Sequence, residues 1–154
     1  MIATAGVKMC RLASRIAMIP HKACPVVIRK TSTGRVQILA FEHPQAGKQL
    51  VKGTIEADEP PESASLRELA EESGITNASL SRPLGTFEVG PPHQIWHAFV
   101  CEASDLEDRW TFFTEDDGGH EFRFFWHPIE EPADETWHII FRQALEYIRR
   151  NLRP

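Results

Sequence analysis

Two apolar, β-branched runs near the start of the chain predict a β-hairpin. They span Ala23–Arg29 and Arg35–Phe41, and the polar segment Thr31–Gly34 separates them. Runs of this type around a turn that contains glycine are typical of paired antiparallel strands. A further short strand is predicted over Gln49–Ile55, after the loop Glu42–Lys48, which contains proline and glycine.

Apolar residues at helical spacing come after the acidic segment that follows this strand. Pro60 and Pro61 suit the first turn of a helix, and Gly74 suits the position just past a helix end. The sequence therefore predicts a helix from Pro61 to Ser73. Its apolar residues recur at i, i+3 and i+4, which predicts one buried stripe; these residues are Leu66, Leu69 and Ala70.

The second half of the chain predicts more strands and a closing helix. The strands are Leu84–Val89, Gln94–Glu102, Arg109–Phe113 and Glu121–Ile129. Asp134 is predicted to cap the last helix, whose apolar face is Trp137, Ile140, Phe141, Ala144, Leu145 and Ile148. The order of strands, helix, strands and helix predicts an α/β (α+β) fold, with a mixed central sheet covered by helices on both sides.

Length and charge narrow the class of protein. The 154 residues suit a single domain, which we place at 21–154 after an N-terminal extension at 1–20. The net charge of −5 disfavours a general nucleic-acid binder. Seven of the 17 Lys and Arg residues and none of the 22 acidic residues lie within 1–41. We interpret this basic stretch as a solvated arm, with contact to phosphates as the alternative. Residues 1–19 contain Arg and no acid, a composition that weakly resembles an organelle transit peptide.

Cysteine content and hydropathy bear on the compartment. The three cysteines form no spaced pair, which favours a reducing, cytoplasmic setting. No apolar run reaches the roughly 20 residues that a membrane helix needs, so no membrane partner is expected. The oligomeric state, monomer or homodimer, is left open.

Three glutamates share one face near the end of the first predicted helix. Glu68, Glu71 and Glu72 lie at i, i+3 and i+4. Like charges at this spacing cost a few tenths of a kcal/mol, and the helix dipole disfavours anions in the last turn by roughly 0.3–1 kcal/mol each. A divalent cation would remove the conflict, because carboxylate oxygens are the ligands that Mg²⁺ prefers. The alternative is a solvated acidic face.

A longer pattern surrounds these glutamates. It runs from Gly53 through Glu59 to the segment Arg67–Ile75. It resembles the Nudix box, G-x5-E-x7-R-E-U-x-E-E-x-G-U with U aliphatic, at every specified position. The resemblance to the Nudix hydrolase superfamily implies an α/β/α sandwich. It also implies Mg²⁺-dependent cleavage of the diphosphate linkage in a nucleoside diphosphate joined to another moiety, a small-molecule substrate.

The same resemblance implies roles for individual residues. The expected metal ligands are Glu68, Glu71, Glu72 and the backbone carbonyl of Lys52, with Mn²⁺ as an alternative to Mg²⁺. Arg67 is expected to hold a neighbouring box glutamate, and Glu59 is one candidate. The general base is expected to be Glu71 or Glu72, or else an acid from the later loop, with Glu121 preferred to Glu115. Residue type and position along the chain, rather than the resemblance, make Lys52, Gly53, Arg29, His43 and Trp96 the candidate substrate contacts.

Two other functions stay open on the sequence alone. A binding or sensor module would keep the fold without turnover, although it would usually show a degraded box. An isomerase of related fold would need a cysteine such as Cys24 or Cys101, or another acid, in the pocket.

Pro91 and Pro92 nearly match a proline that ADP-ribose-cleaving members of the family carry after the box. The alternative is that they form a plain turn between strands.

Overall fold

The computed structural model describes residues 18–115 and 118–152. The strands are β1 (His21–Lys30), β2 (Val36–His43), β3 (Gly47–Gln49), β4 (Gly53–Thr54), β5 (Ser79–Val89), β6 (Gln94–Glu102), β7 (Trp110–Thr114) and β8 (His120–Pro128). The helices are α1 (Pro61–Ser73) and α2 (Ile139–Asn151). Most of the predicted N-terminal extension, residues 1–17, lies outside the described residues.

Within the described ranges the strands form one mixed, eight-stranded sheet. Its main path has the order β5-β6-β1-β2-β8-β7, while β3 pairs with β2 and β4 pairs with β1. The β1–β6 pair is parallel, and the other pairs are antiparallel. This arrangement confirms the predicted mixed sheet and the predicted first hairpin.

The sheet opens between β1 and β2, and this opening positions the candidate site. The two strands pair only at one end, where Ile28 faces Ile38. At the other end β1 pairs with β4 and β2 pairs with β3. The segment Leu50–Lys52, which joins β3 to β4, therefore crosses the gap between the diverging strands.

Each face of the sheet carries its own hydrophobic core. The α2 face buries Ile140, Phe141 and Leu145 against the sheet. The α1 face buries Leu69 with aromatic residues such as Phe122 and Phe124. Burial of this apolar area is the main force that holds the layers together, and it confirms the α/β/α sandwich.

The predicted strand Gln49–Ile55 is wrong. The structure has two short strands there, with Leu50 and Val51 between them. Leu50 joins the core on the α2 face and Val51 joins the core on the α1 face. These side chains are buried because the segment passes between two layers. Their hydrophobicity therefore reflects this burial and not membership of a β-strand.

Helix α1 has the predicted bounds, but its buried face and the cap of α2 differ from the prediction. α1 begins at Pro61 and ends before Gly74, whose positive φ of 79° closes the helix as predicted. Leu66 and Ala70 are only half-buried, however, and the buried face of α1 includes Glu68. Asp134 does not cap α2; the His138 side chain accepts from Ile140 N instead.

Strand β5 is longer than predicted. It begins at Ser79, before the predicted Leu84, and it pairs with β6 through two register shifts near Arg82 and Pro83. Polar residues and a proline hid this segment, but both are tolerated on an edge strand with bulges. Neither helix in the described ranges has the length and apolar character that a membrane span requires.

Candidate active site

The last two turns of α1 present three carboxylates to one cavity. Glu68 is almost fully buried, with 8% of its side chain exposed, whereas Glu71 is 47% exposed. The Oε2 atom of Glu72 is shielded from solvent. The carboxylate cavity, as we name it, has a volume of about 470 Å³ and is lined by Lys22, Lys52, Gly53, Thr54, Glu56, Arg67, Glu68, Glu71 and Glu72.

Gly53 is required by the position of Glu68. A Cβ atom added at Gly53 would lie 1.8 Å from Cδ of Glu68 and about 2 Å from both carboxylate oxygens. Gly53 is also paired with Ala23 of β1, so its backbone is held in place. The glycine that opens the sequence pattern therefore makes room for a carboxylate 15 positions further on.

Arg67 ties the glutamates to the preceding loop. Its guanidinium donates to both carboxylate oxygens of Glu59 at 2.7 and 2.9 Å, and to the Thr54 carbonyl at 2.9 Å. It also donates to Glu68 at 2.8 Å and to Glu71 at 3.2 Å. The predicted contact between Arg67 and Glu59 is present, and the fork of the guanidinium fixes the loop against α1.

The hydrogen bonds between Arg67 and Glu59 shift the pKa values of both residues. Hydrogen bonds from Arg67 and from the Glu56 amide lower the pKa of Glu59 from 4.5 to about 2. The bond with Glu59 is the main cause that raises the pKa of Arg67 further above its ordinary value. Both groups therefore stay ionised throughout the neutral range.

Glu59→Gln is expected to change the acid stability of the fold. Because the folded-state pKa is lowered, this carboxylate contributes stability that is complete above pH 4.5 and is lost as the pH falls toward about 2. The variant should lower the free energy of unfolding at neutral pH and flatten its decline below pH 4.5. Urea unfolding across this pH range measures both effects, with Glu102→Gln at the exposed end of β6 as the control. An unchanged pH profile in the variant would contradict the assignment.

The donor chemistry of the carboxylate cavity fits a hard divalent cation. Carboxylate oxygens and a backbone carbonyl are typical Mg²⁺ ligands, and water and phosphate oxygens usually complete the shell. As the side chains stand, no three His, Cys, Asp or Glu side chains in the described ranges converge on one ion. Arg67 instead bonds with Glu68 and Glu71. Since Glu71 is about half-exposed, it can turn from Arg67 toward an ion without movement of α1.

A second cavity adjoins the first and shares two of its walls, Lys52 and Glu72. We call it the aromatic cavity. Its volume is also about 470 Å³, and it is lined by Phe41, His43, Ala46, Gln49, Leu50, Lys52, Glu72, Pro91, Pro92, Gln94, Phe122, His138, Ile139, Ile140 and Phe141. A ligand that spans both cavities would place one part beside the glutamates and another part among the aromatic rings.

Three predicted substrate contacts lie at these cavities, and Gly53 lines the carboxylate cavity. Lys52 belongs to both. His43 lines the aromatic cavity, and its Nδ1 atom accepts from the amides of Gln45 and Ala46 at 3.0 and 3.1 Å. The ring proton is therefore on Nε2. The His43 ring also packs on His120, with centroids 4.7 Å apart.

The prediction that Trp96 contacts substrate is wrong. Its side chain is fully buried, with 0% of the residue exposed, in the core on the α2 face. Its indole N–H donates to Oε1 of Gln94 at 2.8 Å. Trp96 therefore orients a residue of the aromatic cavity and does not reach the cavity itself.

Arg29 and Glu121 are not brought to either cavity. Arg29 donates to Gln37 and Asp108 at 2.8 Å and stacks on Trp126, 4.3 Å from the ring centroid. Glu121 is exposed on β8, beside Phe122. Adjacent strand residues point to opposite faces, so Glu121 points away from the side on which Phe122 lines the aromatic cavity. Glu115 is exposed just before residues 116–117, which lie outside the described residues.

The two described cysteines are buried free thiols. Cys24 and Cys101 lie in β1 and β6 as core residues. Burial is the first cause that raises both thiol pKa values, to about 12 for Cys101. Thiolate chemistry at neutral pH is therefore disfavoured, which weakens the isomerase alternative.

Sequence reasoning missed several residues that line the cavities. Gln94 lies two positions before Trp96 and so shares its face of β6, a signal that was present in the sequence. Lys22 donates to Thr54 at 2.7 Å and lines the carboxylate cavity. The role of His138 could not be predicted from the sequence. Its position depends on how the segment before α2 docks on Lys48 through two backbone hydrogen bonds.

Comparisons with known proteins agree with this geometry. The model of the NUDIX domain matches residues 20–147. The sequence matches no curated protein. Solved structures with a similar fold include the NUDIX domain of Shewanella oneidensis NrtR in complex with ADP ribose. Its TM-score is 0.64 at 15% identity, over 96% of this chain and 99% of that one.

Two further structures show the same fold. The C. elegans Ap4A hydrolase has a TM-score of 0.61 at 16% identity, over 88% of this chain and 100% of that one. A UDP-X diphosphatase has a TM-score of 0.64 at 13% identity, over 97% of this chain and 72% of that one. At these identities the solved structures bear on the fold alone, whereas the family match covers most of the chain and agrees with the arrangement of the box residues. The chain therefore belongs to the Nudix family.

Proposed function

We propose that the chain is a Mg²⁺-dependent Nudix hydrolase that cleaves the diphosphate linkage of a nucleoside diphosphate joined to another moiety. The observation that carries the proposal is the shared wall of the two cavities. Glu72 and Lys52 belong to both, so the glutamates of α1 lie next to a space for an organic group. The similar folds solved as an Ap4A hydrolase and a UDP-X diphosphatase support this class of substrate.

Glu68, Glu71, Glu72 and the Lys52 carbonyl would hold the metal. When bound, Mg²⁺ polarises phosphoryl oxygens and makes water more acidic. Lys22 and Lys52 line the same cavity, and their ammonium groups would bind oxygens of the diphosphate. Arg67 is a positioning residue, because its bonds with Glu59 and Thr54 hold the end of α1 against the loop.

In the proposed reaction, water attacks a phosphorus atom of the diphosphate. A new P–O bond forms, the bridging P–O bond breaks, and the second phosphate leaves with the bridging oxygen. A carboxylate takes the proton of the attacking water. Glu71 is the better candidate for this base than Glu121, because Glu71 lines the carboxylate cavity whereas Glu121 points to the other face of β8.

A nucleotide panel tests the proposal. With Mg²⁺, the purified protein is expected to release a nucleoside monophosphate or phosphate from at least one of ADP-ribose, a UDP-sugar, a dinucleoside polyphosphate and a nucleoside triphosphate. EDTA should abolish the release, and added Mg²⁺ should restore it. Mass spectrometry of the products identifies the bond that breaks. Tight binding without turnover, in either Mg²⁺ or Mn²⁺, would favour a sensor module instead.

A further inference from the structure

The walls of the aromatic cavity suit the binding of a planar ring. The side chains of Phe41, Phe122 and Phe141 line it, and Pro91 and Pro92 form part of another wall. Phe41 and Phe122 stack on each other with centroids 4.1 Å apart, which makes a rigid apolar floor. A nucleobase is a planar group that gains from such contacts.

The side-chain amide of Gln94, which lines this cavity, has its orientation fixed by a hydrogen bond. The amide oxygen of Gln94 accepts from the indole N–H of Trp96 at 2.8 Å. An indole N–H can only donate, so the orientation of the Gln94 amide is settled. The amide oxygen keeps one further lone pair, and the amide N–H₂ group of Gln94 is the donor that remains for a ligand.

His138 has a fixed role of the same kind. Its Nδ1 atom accepts from the amide of Ile140 at 3.3 Å and caps the start of α2. The ring proton of the neutral imidazole is therefore on Nε2, which is a donor. Gln94 and His138 come from different elements, β6 and the segment before α2, yet both line the aromatic cavity.

Resting on the proposed function, we infer that the aromatic cavity selects a nucleobase with a carbonyl group at C6 of a purine or C4 of a pyrimidine, such as hypoxanthine, guanine or uracil, over adenine or cytosine. The first three bases present a carbonyl oxygen, an acceptor, where the last two present an amino group, a donor. An amino group that meets the donors of Gln94 and His138 leaves both sides unpaired. Buried polar groups without partners are costly.

A pair of substrates that differ at one position tests this inference. Inosine and adenosine diphosphate ribose differ mainly in the group on C6, a carbonyl oxygen or an amino group. We expect kcat/KM to be about tenfold or more higher for the inosine compound, the size of one lost hydrogen bond. Uridine and cytidine compounds form a second pair with the same expected direction. The affinities for IMP and AMP, measured by calorimetry, give a readout that does not depend on turnover.

Gln94→Glu is expected to reverse the preference. A carboxylate can still accept from the Trp96 indole, so the core contact is kept, but the amide donor of this cavity-lining residue is replaced by an acceptor. The ratio of kcat/KM for the two compounds should then favour adenosine, whatever the effect of the added charge on both. The ¹⁵N indole signal of Trp96 checks that its hydrogen bond survives.

His138→Asn is the second variant. Asparagine is among the best helix-capping residues, so the start of α2 keeps an acceptor for the Ile140 amide while the Nε2 donor is lost. The inosine preference should fall toward one, with little change in the melting temperature. A loss of stability with an unchanged preference would assign His138 a structural role only.

The outcomes separate the two proposals. Equal kcat/KM for both members of each pair would overturn the base selection and leave the hydrolase intact. If no compound is hydrolysed, the proposed function fails, and the affinities for IMP and AMP decide the inference. Equal or undetectable binding of the two nucleotides would overturn it.

Discussion

Glu72→Gln is expected to lower kcat by roughly 10²–10³-fold, the range for removal of one preorganised electrostatic group. The substitution keeps the shape of the side chain but removes a negative charge from the wall that both cavities share. It also relieves the repulsion between Glu72 and Glu68 at i, i+4. The loss of rate should therefore come without loss of stability, which thermal unfolding in the absence of metal can verify.

A matched control lies on the same helix. Glu62 is exposed in the first turn of α1, ten positions before Glu72, and lines neither cavity, so Glu62→Gln removes the same charge from the same helix without changing a lining residue. Steady-state rates with saturating Mg²⁺ should show a large difference between the two variants. Full activity of Glu72→Gln would remove Glu72 from the proposed metal ligands.

Gly53→Ala is expected to abolish most of the activity and to destabilise the fold. The added methyl group would occupy the place of the Glu68 carboxylate, while the pairing with β1 prevents the backbone from moving away. Overpacking of this type costs about 1–3 kcal/mol. The carboxylate must turn out of the cavity, so metal affinity should fall together with the rate. Urea unfolding and Mn²⁺ titration followed by electron paramagnetic resonance measure the two effects.

A double-mutant cycle isolates the contact. Glu68→Ala alone should lose activity, and Gly53→Ala in the Glu68→Ala background should cost much less stability than in the natural chain. Contacting residues show such non-additivity, whereas distant ones do not. Additive losses of stability would mean that the methyl group disturbs something other than Glu68.

Much of the carboxylate cavity could be predicted from the sequence because it is local. Glu68, Glu71 and Glu72 share a face by helical spacing alone. The pairing of Arg67 with Glu59 needed only the loop to fold back on α1. These residues fall within one stretch of chain, so their arrangement depends little on the rest of the fold.

The aromatic cavity could not be predicted to the same extent, because it depends on long-range packing. Alternation along β6 places Trp96 and Gln94 on one face, but only the docking of α2 decides that Trp96 is covered. The same limit applies to Glu121, since the strand pattern does not say which face of β8 turns to the glutamates. His138 reaches the cavity only because the preceding segment binds to the edge of β3.

The gap between β1 and β2 has a consequence for how this protein could change over time. The wall that carries the glutamates comes from residues 53–72, whereas the aromatic rings and the oriented donors come from β2, β6, β8 and the start of α2. Substitutions in the latter can alter what is recognised while the reacting centre keeps its shape. Among the residues that the structure describes, Lys52 and Glu72 are the two that line both cavities, so these two positions should tolerate the least variation when laboratory selection moves the protein to a new nucleotide.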